Sequence, residues 1–150
     1  SSKLSSHRPI IHYSLFIINY SLVSISIMKP NIILDKSFNF ALRIVELYKH
    51  LSADKHEYVL SKQLLRSGTS IGANLREANL SISRKEFIAK VQISLKEASE
   101  TEYWLMLLKE GGYIGDADAI INELTEIIKI LTKILKTTKD NLNEAEPPYF

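Results

Sequence analysis

Four stretches of this 150-residue chain carry apolar residues at intervals of three and four, the spacing that places side chains on one face of an α-helix. The pattern predicts helix A over residues 35–51, helix B over 57–79, helix C from 83 to the glycines at 111 and 112, and helix D from 116 or 118 to 140. Short connections between such helices place consecutive helices antiparallel. The predicted fold is therefore all-α, an antiparallel up-down-up-down four-helix bundle.

Helix A has more apolar surface than a single core requires. Two rows of apolar residues run along it, Phe38, Ala41, Leu42, Val45 and Tyr48 in one and Phe40, Ile44, Leu47 and Leu51 beside them. Together the rows cover an arc of about 220°, whereas one core needs only about 100° or somewhat more. Helix C is likewise apolar on all sides over residues 103–108. The surplus surface predicts self-association, so the bundle is expected to be oligomeric.

Helix B contains two glycines, Gly68 and Gly72, one turn apart. Each glycine costs a helix about 1 kcal/mol relative to alanine. The cost is explained if the missing side chains let a neighbouring helix approach closely. The alternative, a phosphate-binding role, is disfavoured because no strand precedes the glycines.

Both ends of helix C carry recognisable signals. Ser83 and Glu86 form a capping box, in which each residue satisfies the exposed backbone N–H of the other. The pair Gly111-Gly112 is the expected glycine signal for a C-terminus.

Residues 1–27 are predicted to lie outside the folded domain. From Ile10 they contain a near-perfect tandem repeat of seven residues, which we interpret as translated repetitive DNA upstream of a true start at Met28. The segment is too polar to read as a membrane span, and it lacks the small-residue cleavage site of a signal peptide. We therefore predict a bundle at 28–140, a loose tail at 141–150, a cytoplasmic location and no membrane partner.

The net charge of +2 gives no reason by itself to expect a polyanionic partner. Lys3 and Arg8 supply all of it, so the remainder of the chain is neutral. The charges of that remainder are nevertheless segregated. Residues 28–96 hold 12 basic and 6 acidic groups, whereas residues 97–128 hold 1 and 8.

An antiparallel bundle gathers these charges at opposite ends. The predicted basic pole consists of Lys29, Lys36, Arg76, Arg84, Lys85, Lys90, Lys129, Lys133, Lys136 and Lys139. The predicted acidic pole consists of Glu97, Glu100, Glu110, Asp116, Asp118, Glu123 and Glu126. The candidate nucleic-acid contacts are Arg76, Arg84, Lys85, Lys90, Lys133 and Lys136. The alternative is a solvated surface with ordinary ion pairs, such as Glu86 with Lys90.

No recognisable catalytic or metal-binding motif is present in the sequence. The histidines are His7, His12, His50 and His56, and none follows a glutamate by three positions as a ferritin-like site requires. The chain has no cysteine, which excludes disulfides, thiolate metal sites and cysteine nucleophiles. We therefore predict a non-enzymatic protein without cofactor or metal. The alternative is a metal-dependent activity around His50 and His56.

One acidic residue is expected to need a buried partner. Glu102 follows Ala98 by four positions and precedes Leu105 by three, on the predicted core face of helix C. Because an unpaired buried charge is unfavourable, we predict Arg66 or Asn74 of helix B as its partner. The contact is interpreted as one that specifies packing within or between bundles, and a ligand site is the alternative.

Helices B and C also carry a longer pattern of specific residues. Its parts are Leu-Arg-Ser-Gly-Thr-Ser-Ile-Gly-Ala-Asn-Leu-Arg-Glu-Ala at 65–78, Lys-Glu-Phe-Ile-Ala-Lys at 85–90, Leu-Lys-Glu-Ala-Ser-Glu-Thr-Glu-Tyr-Trp-Leu at 95–105 and Gly-Tyr-Ile at 112–114. The pattern resembles the bacterial four-helix-bundle family known from 23S rRNA intervening sequences, and the likeness extends more weakly from Met28 to about Lys139.

The resemblance implies a cytoplasmic four-helix bundle, commonly a homopentamer, with no assigned enzymatic activity. Related bundles are accessory proteins of diversity-generating retroelements, where they associate with a reverse transcriptase and nucleic acid. The chain departs from many members at residues 74–78, which read Asn-Leu-Arg-Glu-Ala instead of Asn-Ile-Ala-Glu-Gly. Without that glycine, the sequence does not specify where helix B ends. Arg76 adds charge to the predicted basic pole.

These observations predict a homo-oligomeric, pentameric adaptor whose basic pole docks RNA, DNA or a nucleic-acid-bound protein. The alternative is a purely protein-binding or structural assembly.

Overall fold

The structure, a computed structural model, describes residues 31–144 and consists of four α-helices. They are α1 (Ile32–Ala53), α2 (Leu60–Asn79), α3 (Arg84–Glu110) and α4 (Asp118–Glu144). No strand occurs among the described residues, so the prediction of an all-α chain with four helices is confirmed. Within the same range, no helix has the length and apolar content that crossing a bilayer requires.

Three helix ends extend beyond their predicted positions. α1 begins at Ile32, three residues before the predicted start, and ends at Ala53, two residues after the predicted end. α4 continues through Glu144, into the predicted loose tail. No glycine or proline interrupts the chain there before Pro147, so nothing local stops the helix. Residues 145–150 and the predicted extension at 1–27 lie outside the described part of the chain.

α2 begins three residues later than predicted because Glu57 caps it from the preceding loop. Glu57 Oε1 accepts hydrogen bonds from the N–H groups of Val59 at 3.1 Å and Leu60 at 2.9 Å, and Oε2 accepts one from Ser61 at 2.6 Å. These bonds satisfy donors that have no partner inside the helix. Burial acts to raise the pKa of the Glu57 carboxyl, but the three backbone N–H groups outweigh it and lower the pKa below its usual value.

The core is apolar and all four helices contribute to it. Among its fully buried side chains are Phe40, Ile44, Leu64, Ile71, Leu105, Leu108, Leu124, Ile127 and Leu131. α1 packs on α2 and α4, and α3 packs on the same two helices. The four helices therefore enclose one core in cyclic order.

The packing of α1 on α2 depends on the two glycines of α2. A Cβ atom at Gly68 would lie 2.8 Å from Ile44 Cγ1 and 2.9 Å from Cγ2, closer than carbon atoms can approach. A Cβ atom at Gly72 would lie 3.3 Å from Ser37 Oγ. The predicted role of the glycines in close helix packing is confirmed.

Polar contacts join α2 to α3 inside the bundle. The Ser94 hydroxyl donates to the Ile71 carbonyl at 2.9 Å, and the Thr101 hydroxyl donates to the Ser67 hydroxyl at 3.0 Å. Later residues of α3 meet earlier residues of α2, so the two helices run in opposite directions. The small side chains at these positions allow the helices to approach closely.

The two apolar rows of α1 have different surroundings. Phe40, Ile44 and Leu51 are fully buried, whereas Phe38 and Leu42 are each 49% exposed. The contact of Ile44 with α2 selects which row faces the core. The exposed row is the surplus apolar surface that the arc of about 220° predicts.

The start of α3 differs in detail from the predicted capping box. The Glu86 N–H donates to Ser83 Oγ at 3.1 Å as predicted, but Glu86 Oε2 accepts from the Ile82 N–H at 3.1 Å instead of from Ser83. The helix ends as predicted at the glycine pair. There Gly112 adopts a φ of 77°, a left-handed conformation that favours glycine.

We predict that Gly68→Ala destabilises the protein. Overpacking costs about 1–3 kcal/mol, while the gain in helix propensity returns only about 1 kcal/mol, because Ile44 is buried and cannot move aside. Urea unfolding measures the difference. Gly115→Ala is the control, since a Cβ atom there meets no atom within 4 Å; a Gly68→Ala protein as stable as that control would contradict the packing role.

We also predict that Glu57→Gln lowers stability by about 1 kcal/mol at neutral pH, since the amide nitrogen cannot accept a backbone hydrogen bond. The folded-state pKa of Glu57 lies below the usual value of a glutamate carboxyl. The carboxylate therefore stabilises the fold fully above the unfolded-state pKa, and this contribution fades as pH falls through the folded-state pKa. Unfolding curves over acidic to neutral pH should converge for wild type and variant at the acid end. Glu46→Gln, on the exposed side of α1, is the control. Its unfolding curves should coincide with those of wild type over the whole pH range.

Candidate functional site

One end of the bundle carries a cleft between the turn after α2 and the last turns of α4, which we call the α3–α4 cleft. It is a shallow depression, open to solvent, that spans about 440 Å³ and is lined by Asn79, Ser81, Arg84, Phe87 and Thr138, among others. Because Arg84 begins α3 and Thr138 lies near the end of α4, the start of one helix and the end of the other meet at this end of the bundle.

A second cleft lies beside the first, between the start of α1 and the end of α2. This α1–α2 cleft encloses about 410 Å³ and is lined by Leu34, Asp35, Phe38, Arg76, Asn79 and Leu80. The Arg76 guanidinium lies over the Phe38 ring, 5.5 Å from its centroid, a cation–π contact. Asn79 lines both clefts, so all four helices contribute one of their ends to the same region.

Most of the predicted nucleic-acid contacts lie at or near this end as exposed side chains. Arg76 lines the α1–α2 cleft and Arg84 the α3–α4 cleft. Lys85, Lys133 and Lys136 are exposed and form no ion pair with another residue of the described chain. Their charges are therefore available to an approaching anion.

Lys90 differs from the other predicted contacts. It is only partly exposed, and it forms an ion pair with Glu77 of α2 rather than with Glu86 of its own helix. The pair offsets its charge, so Lys90 contributes less to the surrounding potential than its position suggests. Lys29, another predicted member of the basic pole, lies outside the described residues.

The acidic pole is smaller than the charge pattern predicts. Glu126 accepts a hydrogen bond from Lys36 at 2.8 Å, although the two residues are predicted at opposite poles. The placement of Glu126 is a correction to the prediction: it lies well inside the long helix α4, where it faces the first turns of α1. The hydrogen bond and the charge of Lys36 lower the pKa of Glu126. Glu123 similarly pairs with Arg43 at 2.9 Å.

Acidic groups do accumulate along the outer part of α3. Burial raises the pKa of Glu97, and the nearby Glu100 carboxylate raises it further, while the Arg66 guanidinium acts in the opposite direction. Near the C-terminal end of α3, Lys109 Nζ lies 3.4 Å from Asp118 Oδ1. This part of the bundle is accordingly unfavourable for polyanions.

The structure does not bring Glu102 together with either of its predicted partners. Within residues 31–144, Glu102 forms no hydrogen bond or ion pair with Arg66 or Asn74, and it is only partly buried. The Asn74 amide donates instead to the Ser70 carbonyl of its own helix at 2.8 Å. Arg66 acts on Glu97, as described above.

Thr101 occupies the buried position instead, and the sequence analysis missed it. Its hydroxyl meets Ser67 across the helix pair at 3.0 Å. Thr101 lies three residues after Ala98 and four before Leu105, so it fits the apolar stripe as well as Glu102 does. Between two candidates on one stripe, the smaller neutral residue is the less costly to bury.

The two histidines considered as metal ligands each contact a residue that is close to them in the chain. His50 Nδ1 lies 2.7 Å from Asp54 Oδ2, and His56 Nδ1 lies 3.1 Å from the Tyr58 hydroxyl. No group of three metal-ligating side chains occurs within the described range. The geometry provides no support for a metal-dependent activity.

Comparison with known proteins identifies the family of this chain. The family of the 23S rRNA-intervening sequence protein matches residues 29–133. The chain belongs to this family. The resemblance found in helices B and C is thereby confirmed.

A solved structure from Bacteroides thetaiotaomicron VPI-5482 is similar to this family member. That protein, of unknown function and from the S23 ribosomal protein family, is 56% identical to the chain, with a TM-score of 0.70. The match covers 73% of this chain and 99% of the other. No curated protein matches the sequence. Neither of the matching descriptions names a catalytic activity.

Arg76 and Ala78, near the end of α2, have defined surroundings. The Arg76 guanidinium lies over the Phe38 ring, and Ala78 is buried in the core at 3% exposure. α2 continues through both residues to Asn79, its predicted end.

We predict that Thr101→Val costs about 1 kcal/mol of stability, because it leaves the buried Ser67 hydroxyl without its partner on α3. Thr125→Val is the matched control, since the Thr125 hydroxyl bonds only to the Ile121 carbonyl of its own helix. Thermal unfolding compares the two. Equal losses in both variants would show that the contact between helices has no special weight.

Proposed function

We propose that the chain is a non-enzymatic, homo-oligomeric adaptor, built of up-down-up-down bundles, whose basic pole docks nucleic acid or a nucleic-acid-bound protein. The observation that carries the proposal is the shared wall at Asn79. Asn79 belongs to both clefts, so the α1–α2 cleft with Arg76 and the α3–α4 cleft with Arg84 form one region that carries two arginines from different helices.

Exposed cations are the physical basis of the docking. Lys and Arg side chains that neutralise phosphates release condensed counterions, which drives association without base contacts. Arg84, Lys85, Lys133 and Lys136 are exposed on α3 and α4, and the acidic groups on the outer part of α3 orient a polyanion toward the other end of the bundle.

Exposed apolar side chains support the assembly part of the proposal. Leu42 is 49% exposed on α1, and Tyr103 and Met106 are 58% and 53% exposed on α3. Apolar surface of this kind commonly marks a protein interface. The family resemblance favours a pentamer in the cytoplasm. Side-by-side packing of the subunits would point every basic pole the same way and merge them into one cationic face.

A purely protein-binding or structural assembly is the second candidate. It is favoured by the ion pairs of Lys36 with Glu126 and Lys90 with Glu77, which remove two cations from the predicted basic pole. It differs from the adaptor in requiring no affinity for phosphates.

We predict that labelled RNA or DNA binds with an affinity that falls steeply as salt rises, and that the double variant Arg84→Glu with Lys85→Glu binds more weakly and with a smaller salt slope. Each phosphate contact removed should reduce that slope by about 0.7–0.9. Fluorescence anisotropy over a salt series measures both quantities.

The matched control is Lys55→Glu with Lys62→Glu, an equal change of charge at exposed positions in the α1–α2 loop and on the first turn of α2. It should retain most of the wild-type affinity, with light scattering used to verify that both proteins keep the wild-type mass. Salt-insensitive or absent binding would favour the second candidate.

A further inference from the structure

We propose that the two clefts beside Asn79 are base pockets for a single strand of nucleic acid, one unpaired base entering each. This inference rests on the proposed function, to which it adds the class of nucleic acid and the place where its bases bind. The observation behind it is that each cleft combines an aromatic ring with an arginine, Phe87 with Arg84 and Phe38 with Arg76.

The two rings provide surfaces on which bases can stack. Phe38 is 49% exposed, and its ring is already covered on one side by the Arg76 guanidinium. Phe87 is partly buried against the core but still lines the α3–α4 cleft. Unpaired bases stack on aromatic rings and on guanidinium planes whatever their sequence, because every base has a π-face.

Exposed apolar side chains extend both stacking surfaces. Leu80 lines the α1–α2 cleft and is 79% exposed, and Ile82 lines the α3–α4 cleft and is 97% exposed. Exposure of these two apolar side chains to water is unfavourable. A base face that covers either side chain removes apolar area from water on both partners.

Polar groups in the clefts can bond base edges. Asn79 is exposed, and its side-chain amide carries both hydrogen-bond donors and an acceptor. The Ser81 hydroxyl donates to the Glu77 carbonyl of the preceding helix, the Thr138 hydroxyl donates to the Ile134 carbonyl of its own helix, and both oxygens keep lone pairs free to accept. Such groups match the donors and acceptors along the edge of an unpaired base.

The acidic group in the α1–α2 cleft favours a base over a phosphate as its occupant. Asp35 lines that cleft beside Arg76. Its carboxylate repels a phosphate but can accept a hydrogen bond from an N–H group on the edge of an unpaired base, such as N3–H of thymine. The phosphates are then left to the exposed cations outside, such as Lys85 and Lys136.

A duplex cannot use the clefts in the same way. Both clefts are open to solvent and span only about 440 and 410 Å³, which is room for one base but not for a base pair. Paired bases are stacked on their neighbours and would have to be unpaired and unstacked before they could enter. A duplex can therefore contact only the cations around the clefts.

The test compares labelled oligothymidylate with the same strand annealed to oligodeoxyadenylate, in fluorescence anisotropy at fixed salt. We expect the single strand to bind more tightly than the duplex. Phe87→Leu and Phe38→Leu should each weaken single-strand binding by about fivefold or more, which corresponds to the lower range of base–aromatic stacking. Duplex binding by both variants should be unchanged.

Tyr58→Leu is the matched control, because Tyr58 is an aromatic residue of the α1–α2 loop that is 53% exposed and lines neither cleft. Light scattering and thermal unfolding verify assembly and folding of each variant. Asn79→Ala provides a variant that cannot disturb the core, since Asn79 is exposed, and it should also weaken single-strand binding alone.

Three results are distinguishable. Selective loss of single-strand affinity in the cleft variants supports the base pockets. Equal, salt-dependent binding of single strand and duplex, unaffected by these variants, overturns the base pockets and leaves the proposed function standing. Absence of binding to either probe overturns the base pockets together with direct docking of nucleic acid, and it favours the second candidate function.

Discussion

The approach of α1 to α2 at Gly68 is the contact on which the rest of the structure depends. Ile44 lies where a side chain at that position would be, and it is fully buried there. One turn away, Ser37 meets Gly72 in the same manner. These two contacts determine both the separation and the register of the helices. The register in turn brings Phe38 beside Arg76, so the α1–α2 cleft is a consequence of two missing side chains in the core.

The parts of the fold that could be predicted from the sequence are those determined locally. Both ends of α3 are predicted to within a residue, because Ser83 and Gly112 act on the backbone next to them. The start of α2 was misplaced because its cap comes from Glu57, a residue type that rarely serves in this role and acts here from the loop. Only the close glycine pair, among the tertiary features, has a clear signal in the sequence.

The remaining differences arise where several residues fit one pattern equally well. Thr101 and Glu102 both fit the apolar stripe of α3, and the two apolar rows of α1 both fit helical spacing. Tertiary packing decides between them. The same holds for the candidate site. The predicted alternation of helix direction was enough to group the helix ends. The clefts and the pairing of Lys36 with Glu126 depend on how the helices pack, which the sequence pattern does not specify.

The position of Asn79 gives the two clefts a relation that neither has alone. Its one side chain forms part of two openings, and an amide that turns toward one opening withdraws its hydrogen-bonding atoms from the other. An occupant of one opening that bonds this amide would therefore alter the free energy of filling the other, and by the same amount in both orders. A single residue at the end of α2 would thus couple the two openings thermodynamically, over a distance no greater than the width of its own side chain.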